Sequence, residues 1–477
     1  MGGPHPAHPG PGRHGGTVAD ITDGVVWAAG GTVSGVPANP NPAQIVNMSL
    51  GGSRSCRRDP LYQQAINQAR NLGAMVVVSS GNSTANTANF SPASCSGVVT
   101  VGASNSETQR AYYSNFGPRT DVMAPGGSIL ISLNGQSQGG GVLSTRKGNS
   151  GEAVYSYLQG TSMAAPHVAG VLALMKSARP DLTPAEALDI LKRTARPFSA
   201  TQCSGEQGSQ GGVRTLPPSL SAADCGAGLI DALAAVQAAR AAPVPGFAVR
   251  PLASGFGVGA GGSRQVTVNL DRWGGFTTQV SLSVQGLPGG VTAAFSANPA
   301  NSSSALQLTT SPSTAPGTYE LTILGEGGGQ SRSTAFTLVV GVSPTNQTLS
   351  GARITAFFWN GTTEILANSR YVTLSSNAAS APYTVSGLVG GSYYIEGWID
   401  ENGNGRYDDL DYIGNFLSGG GTAVVTAPRS DLNFALRPLL SLSSQSLQLL
   451  REGLQSRIFS TIQSPDPTSA ARQGGEP

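Results

Sequence analysis

The sequence predicts an α/β domain built on a parallel sheet, followed by two β-sandwich domains. Three observations carry this expectation. Residues 17–240 alternate short apolar strands with helical patterns, which calls for parallel strands joined by crossover helices. From about residue 245, apolar and polar residues alternate with period two between Gly, Pro, Ser and Asn, the pattern of antiparallel sheets. The chain has 477 residues, long enough for about three domains.

The elements follow in order. DITDGVVWAAG places Ile21, Val25, Val26 and Ala29 at helical spacing. AQIVNMSLGG is a short buried-type strand ending in glycine. LYQQAINQARNLG is a helix closed by Gly73. AMVVVSSGN is an apolar strand running into Gly81 and Asn82, and GVVTVGAS and TDVMAPGG are two more. GTSMAAPHVAGVLALMKSARP is a long apolar helix stopped at Pro180. The next helix has Thr183 as N-cap, Pro184 at the first position and Glu186 at the third, a capping box. Strands such as RQVTVNL, TQVSLSVQGL and YELTILGE then predict a sandwich over 245–342. ARITAFFWN and SYYIEGWID belong to a second one over 346–437. Residues 1–16 are an irregular leader. Residues 438–477 hold an amphipathic stretch (Leu447, Leu450, Leu454, Ile458) and a polar tail expected to be disordered.

Composition removes several function classes. Only 11% of residues are charged, against a usual ~25%. The longest apolar runs, such as Val168 to Met175, are too short for a membrane span of ~20 residues. The net charge of +2 comes without basic blocks, so nothing favours nucleic acid. A Gly-rich, low-charge, multidomain chain of this kind is common among secreted bacterial proteins. The leader, MGGPHPAHPGPGRHGG, lacks the basic start, apolar core and cleavage site of a signal peptide. It holds His5, His8 and His14. A His-rich tract can bind metal, but these histidines have proline neighbours and irregular spacing that define no ligand geometry.

The four cysteines, Cys56, Cys95, Cys203 and Cys225, have no metal-ligand spacing. Four cysteines allow three pairings, or four free thiols. Local closure favours Cys56–Cys95 and Cys203–Cys225, which, if oxidised, imply an extracytoplasmic location.

GTSMAAPHVAG places Ser162 at the start of an apolar helix, just after a Gly-Thr turn. A helix N-terminus offers free amides and partial positive charge, which stabilise an alkoxide and an oxyanion. Ala164 and Ala165 let a substrate backbone approach. Taken alone, such a serine is a cap. The full string is more specific and closely resembles the nucleophile motif of subtilisin-like serine proteases, the subtilases. Further pieces match in the family's order: VNMSLGG ending at Gly52, SSGN from Ser79 to Asn82, YSNFGP from Tyr113 to Pro118, APG from Ala124 to Gly126, and CGAGLIDALAAV as the closing helix. The resemblance covers about residues 15–240.

The resemblance implies a doubly wound parallel subtilisin-like sheet, incomplete at its N-terminal side, and secretion to the cell surface or beyond. It implies Ser162 as nucleophile and Asn82 as side-chain oxyanion donor. Losing such a donor costs ~10²–10³ in rate, a magnitude known from subtilisin itself. Ser49, Leu50, Gly51 and Gly52 resemble the edge that pairs with an extended substrate, which gives broad specificity because backbone pairing reads no side chains. Ser79, Ser80 and Gly81 resemble one wall of the pocket for the residue before the cut.

A serine nucleophile needs a histidine base held by a carboxylate. The family's string for the acid, Asp-Ser/Thr-Gly, and its string for the base, HGTHVAG, are both absent in intact form. His14 lies in HGGTVAD, but GGTVADITDGVVWA fits a later family helix, and too few residues separate His14 from Asn47 for the elements the family needs between them. Asp20 and Asp23 lie on that helix and are expected as N-terminal helix charges. His167 follows Ser162 by five residues on one helix, so it points ~140° away and is expected as a packed structural side chain. These observations predict an N-terminally shortened subtilase whose sheet has an unpaired edge and whose chain as written is inactive or very weak.

DENGNGRYDDLD begins at Asp400 and places Asp400, Asn402 and Asn404 at loop positions 1, 3 and 5. Gly405 is at 6, Arg406 offers its carbonyl at 7, Asp408 is at 9 and Asp411 at 12. This is the EF-hand loop spacing for Ca²⁺. The competing reading is a polar Asn-Gly hairpin. A structural calcium and no organic cofactor are expected. The sandwich over 245–342 resembles Ig-like repeats of secreted bacterial proteins. The last unit loosely resembles transthyretin-like or carboxypeptidase-regulatory-like sandwiches. Two functions follow: a secreted serine endopeptidase acting on proteins or peptides through an acyl-enzyme on Ser162, or a non-catalytic calcium-dependent binding or surface protein that retains a subtilase remnant.

Overall fold

The computed structural model describes residues 16–131, 137–138, 140–148, 151–205, 220–341, 352–359, 364–374, 383–385, 392–399, 412–415, 417–418, 421–422, 425–426 and 437–438. They divide into two compact units. One comprises 1–257, 261–314 and 318–339, the other 258–260, 315–317 and 340–477. His5, His8 and His14, the predicted calcium ligands Asp400, Asn402, Asn404, Arg406, Asp408 and Asp411, and the amphipathic stretch at 447–458 lie outside the described residues.

The first unit opens with helix α1 (Val18–Ala28). Thr17 Oγ1 accepts the Asp20 amide at 3.2 Å and Asp20 Oδ2 accepts the Thr17 amide at 3.0 Å, so Asp20 is a capping residue. Strand β1 (Ile45–Met48), helix α2 (Pro60–Asn71) and strands β2 (Met75–Ser79), β3 (Val99–Ser104) and β4 (Val122–Pro125) follow. The strands form a sheet in the order β1-β2-β3-β4, and each neighbouring pair is parallel. Helix α2 ends as the sequence predicts, with Gly73 at φ +89°.

Each face of the sheet is covered, and the two-residue side-chain period sorts the residues between them. Val76 and Val78 of β2 join Val25, Ala65, Ile66 and Ala69 of α1 and α2 in one core. Met75 and Val77 point the other way, into a core shared with Val101, Val122 and the helices that come later in the chain. All of β2 is buried, which explains its unbroken apolar run. Among the described residues β1 pairs with β2 alone.

Beyond β4, β5 (Leu130–Ile131) pairs with β6 (Ser137–Gln138), and β7 (Val142–Lys147) pairs with β8 (Ala153–Leu158) in an antiparallel hairpin. That hairpin leads into the long helix α3 (Thr161–Ala178). Ala164, Ala165, Val168, Leu172 and Met175 bury one side of α3 against Val77, Val101 and Ala124. Helices α4 (Pro184–Thr194), α5 (Ala200–Ser204) and α6 (Ala232–Arg240) complete this half. The cap of α4 corrects one expectation. Thr183 accepts the Glu186 amide, but the Glu186 carboxylate pairs with Arg179 at 2.6 Å instead of returning to the cap. The disulfides are Cys56–Cys95 and Cys203–Cys225, the pairing that local closure favours.

The same unit continues into an all-β region. Strands β9 (Gly246–Pro251), β10 (Gly255–Gly259), β11 (Ser263–Trp273) and β12 (Ser281–Gln285) are followed by β13 (Val291–Phe295), β14 (Ser303–Thr310), β15 (Gly317–Gly327) and β16 (Gln330–Gly341). They form two four-stranded sheets, ordered β10-β16-β15-β12 and β13-β14-β11-β9. Gly325 of one sheet is crowded by Val249 and Phe247 of the other; a Cβ there would lie 2.7 Å from Val249.

This β region is clamped to the α/β half. The Asp271 carboxylate takes Arg250 through two hydrogen bonds, at 2.7 and 3.1 Å, and Arg70 of α2 at 3.2 Å. Arg70 also donates to the Gly97 carbonyl, Asn67 to the Leu252 carbonyl, and Arg119 to the Ser254 carbonyl. The second unit holds β17 (Arg353–Trp359), β18 (Glu364–Thr373), β19 (Ser392–Ile399) and β20 (Tyr412–Asn415) in the order β18-β17-β19-β20, each pair antiparallel.

Asp271 makes the clamp testable. Burial alone raises its pKa, but hydrogen bonds and charge from Arg250 and then Arg70 outweigh burial and hold the carboxyl below its ordinary value. A depressed carboxylate contributes stability that is present above the ordinary pKa of ~3.9 and is lost as pH falls through the folded value. Asp271→Asn leaves two buried guanidiniums without their counter-charge. The cost lies toward the low end of about 3–5 kcal/mol, because the Asp271 side chain is 21% exposed. The melting transition of the variant falls by several degrees at pH 7, and calorimetry shows the gap to wild type closing below about pH 4. A gap unchanged with pH contradicts the clamp.

Candidate active site

The four parallel strands point their C-terminal ends at one edge, and the candidate residues collect there, as ligands do in open parallel sheets. Ser49 follows β1, Gly81 and Asn82 follow β2, and Gly126 follows β4. The start of α3 crosses this edge: Gly160 donates to the Gly126 carbonyl at 3.0 Å, and Ser49 Oγ donates to the Ser162 carbonyl at 2.8 Å. Gly160, the N-cap, has φ +148°, a conformation that favours glycine.

Asn82 has a defined orientation. Its Oδ1 accepts the Thr161 amide at 2.9 Å and the Thr161 hydroxyl at 2.8 Å. A backbone amide can only donate, so this face of the side chain must be the oxygen. The Nδ2 group therefore faces away from Thr161. A Cβ built on Gly160 would lie 3.6 Å from both Asn82 Nδ2 and the Ser162 nitrogen. Two donors thus flank one point at the N-terminus of an 18-residue helix, where first-turn amides lack intrahelical partners.

The Ser162 hydroxyl donates to the Ser49 carbonyl at 3.3 Å. That carbonyl cannot act as a general base near neutral pH. Among the described residues the histidine is His167, whose Nδ1 lies 2.8 Å from the Met163 carbonyl of its own helix. The helical spacing correctly separates it from Ser162, but His167 is exposed rather than packed.

The predicted substrate edge is brought to the same place. Leu50, Gly51 and Gly52 are exposed. Gly52 exchanges two backbone hydrogen bonds with Ser91, at 2.9 and 3.1 Å, so Leu50 and Gly51 form the open part of the edge. Ser79 and Ser80 are buried, and Ser80 Oγ lies 3.5 Å from the Asn115 carbonyl. Gly81 has φ +105°, and Phe90 stands 3.4 Å from the position of a Cβ on it. Ser91 and Phe90 carry no sequence signal of their own; they are found by their contacts with Gly52 and Gly81. Thr161 lies in the nucleophile string, but its partner Asn82 is found only from the structure.

Comparison with known proteins bears on this constellation. Residues 6–218 match the subtilase family. The chain is 45% identical over 229 residues to an extracellular protease of Xanthomonas campestris pv. campestris, covering 48% of this chain and 34% of that protein. It is 40% identical over 243 residues to an extracellular basic protease of Dichelobacter nodosus, covering 49% and 35%. The chain therefore spans about a third of the length of these curated relatives. A solved structure of proteases from Pseudoalteromonas arctica shares 48% identity, over 47% of this chain and 60% of the other, with a TM-score of 0.40. Subtilases are serine endopeptidases, and these relatives are named as extracellular. No helix among the described residues is long and apolar enough to cross a membrane.

Proposed function

We propose that the subtilase region carries the acyl-transfer site of a secreted serine endopeptidase, with Ser162 as nucleophile. The observation that carries this reading is the fixed orientation of Asn82. With its oxygen committed to Thr161, its Nδ2 is left to bind an oxyanion together with the Ser162 amide. An extended peptide or protein substrate pairs with the edge Ser49, Leu50, Gly51 and Gly52, chiefly through Leu50 and Gly51. The side chain before the cut enters beside Ser79, Ser80 and Gly81.

In the chemical step a bond forms from Ser162 Oγ to the scissile carbonyl carbon. The oxygen of that carbonyl takes the electron pair and moves between the two donors. The intermediate then expels the amine. The hydroxyl proton must pass to a base and on to the leaving nitrogen. The Ser49 carbonyl, which accepts that proton's hydrogen bond, cannot do this, so we infer that Ser162 acylates slowly. The disulfides Cys56–Cys95 and Cys203–Cys225 support an extracellular location. The same lack of a base among the described residues supports a second reading, a non-catalytic binding or surface protein that uses the cleft to hold peptides.

Labelling with a serine-directed fluorophosphonate tests the nucleophile. The expected outcome is slow modification that Ser162→Ala abolishes. Rapid stoichiometric labelling contradicts the slow step, and labelling indifferent to Ser162→Ala contradicts the site. We also infer that Asp400, Asn402, Asn404, Arg406, Asp408 and Asp411 hold a structural calcium in the last β region, while 245–342 is an Ig-like spacer. Adding EDTA to calcium-loaded protein is then expected to lower one melting transition, and an unchanged thermogram removes calcium from the account.

A further inference from the structure

The segment Tyr113–Pro118 shares the family pattern, yet none of its residues enters the chemistry above. Asn115 stands out within it. It is fully buried, and its amide is spent on one short stretch of chain. Its Oδ1 accepts the Ser83 amide at 2.9 Å and the Ala85 amide at 3.1 Å. Its Nδ2 donates to the Ser80 carbonyl at 2.8 Å. Its own backbone amide donates to the Gly81 carbonyl at 3.0 Å. A Cβ on Gly81 would lie 2.3 Å from Asn115 Nδ2, so the loop closes around this side chain only because residue 81 lacks one.

Asn82 sits in the middle of that loop, between Gly81 and Ser83. It is exposed, and its side-chain oxygen is held by Thr161 from the α3 side. The backbone on both sides of it is held by Asn115. An exposed amide on a free loop would sample many rotamers, and a donor delivers its full effect only when it is preorganised. We propose that Asn115 is a positioning residue: it locks residues 80–85 so that Asn82 Nδ2 and the Ser162 amide address the same oxyanion. This rests on reading Asn82 as the oxyanion donor.

The test uses the full chain with Asn115→Ser, too short to span all three partners, and Asn115→Asp, which keeps the shape and both acceptor bonds but sets a carboxylate against the Ser80 carbonyl. Circular dichroism establishes that each variant is folded, and Asp serves if Ser is not. The first readout is NMR relaxation of the Asn82 side-chain amide, assigned by its loss in Asn82→Asp. Its order parameter is expected to fall from the rigid range to below ~0.6 in the Asn115 variants. An unchanged value overturns the proposal.

The second readout is acylation of Ser162 by an activated peptide ester. The maximal rate is expected to fall about 10-fold or more, bounded by the ~10²–10³ that loss of the donor itself costs in subtilisin, with little change in KM. In an Asn82→Ala background the same substitution changes the rate less than about 2-fold, because the donor through which Asn115 acts is gone. A full effect that persists in that background overturns the proposal. If acylation is indifferent to Asn82 itself, the donor reading fails, and the NMR readout still decides whether Asn115 holds Asn82.

Discussion

The packing of α3 across the face of the parallel sheet is the constraint on which the site depends. Its buried side is made of Ala164, Ala165, Val168, Leu172 and Met175, set against alternate residues of β2, β3 and β4. Small residues in the first turns allow the helix to lie close to the strands. That closeness brings its N-terminus to the strand ends, where Asn82 bonds Thr161 and Ser49 bonds Ser162. If α3 were displaced by the width of one side chain, the Thr161 amide would leave Asn82. The exposed amide would then lose the contact that decides which of its atoms faces outward.

The same economy runs through the loops. Gly81 is needed because Asn115 occupies the space of a Cβ and because φ is +105°. Disulfide Cys56–Cys95 joins the segment after Gly52 to the one that carries Ser91 and Phe90. Asp59 reinforces that junction by accepting the Ser91 hydroxyl at 2.8 Å. On the far side of the sheet, Asp271 gathers Arg70 and Arg250, so the first β region is held to the α/β half by buried charge as well as by carbonyl contacts. This arrangement makes the β region part of one compact unit with the α/β half rather than a freely hinged appendage.

Much of this was legible in the sequence because it is local. The apolar run of β2, the glycine that closes α2, the cap at Thr183 and the string around Ser162 each fall within a few residues, where period and turn chemistry decide the outcome. The disulfide pairing was legible because short loops close most readily. Other features depend on residues far apart in the chain. Thr161 and Asn82 are separated by 79 positions, and Arg70 and Asp271 by 201; no local pattern announces either pair. Glu186 followed the capping rule in position but not in partner, because Arg179 offered its carboxylate a charge where the cap offered a neutral amide. His167 was placed correctly on the helix and wrongly in burial, since helical phase gives direction but not what lies there.

The central claim is that Asn82 presents a preformed donor to chemistry at Ser162. Intact-mass measurement of acyl transfer from a peptide nitrophenyl ester, with Asn82→Ala beside the wild-type chain, tests it most directly. The account predicts one acyl group on Ser162 in both, formed about 10²–10³ times more slowly in the variant, the cost known for such a donor in subtilisin. Equal rates, or acyl groups on other residues, would contradict it.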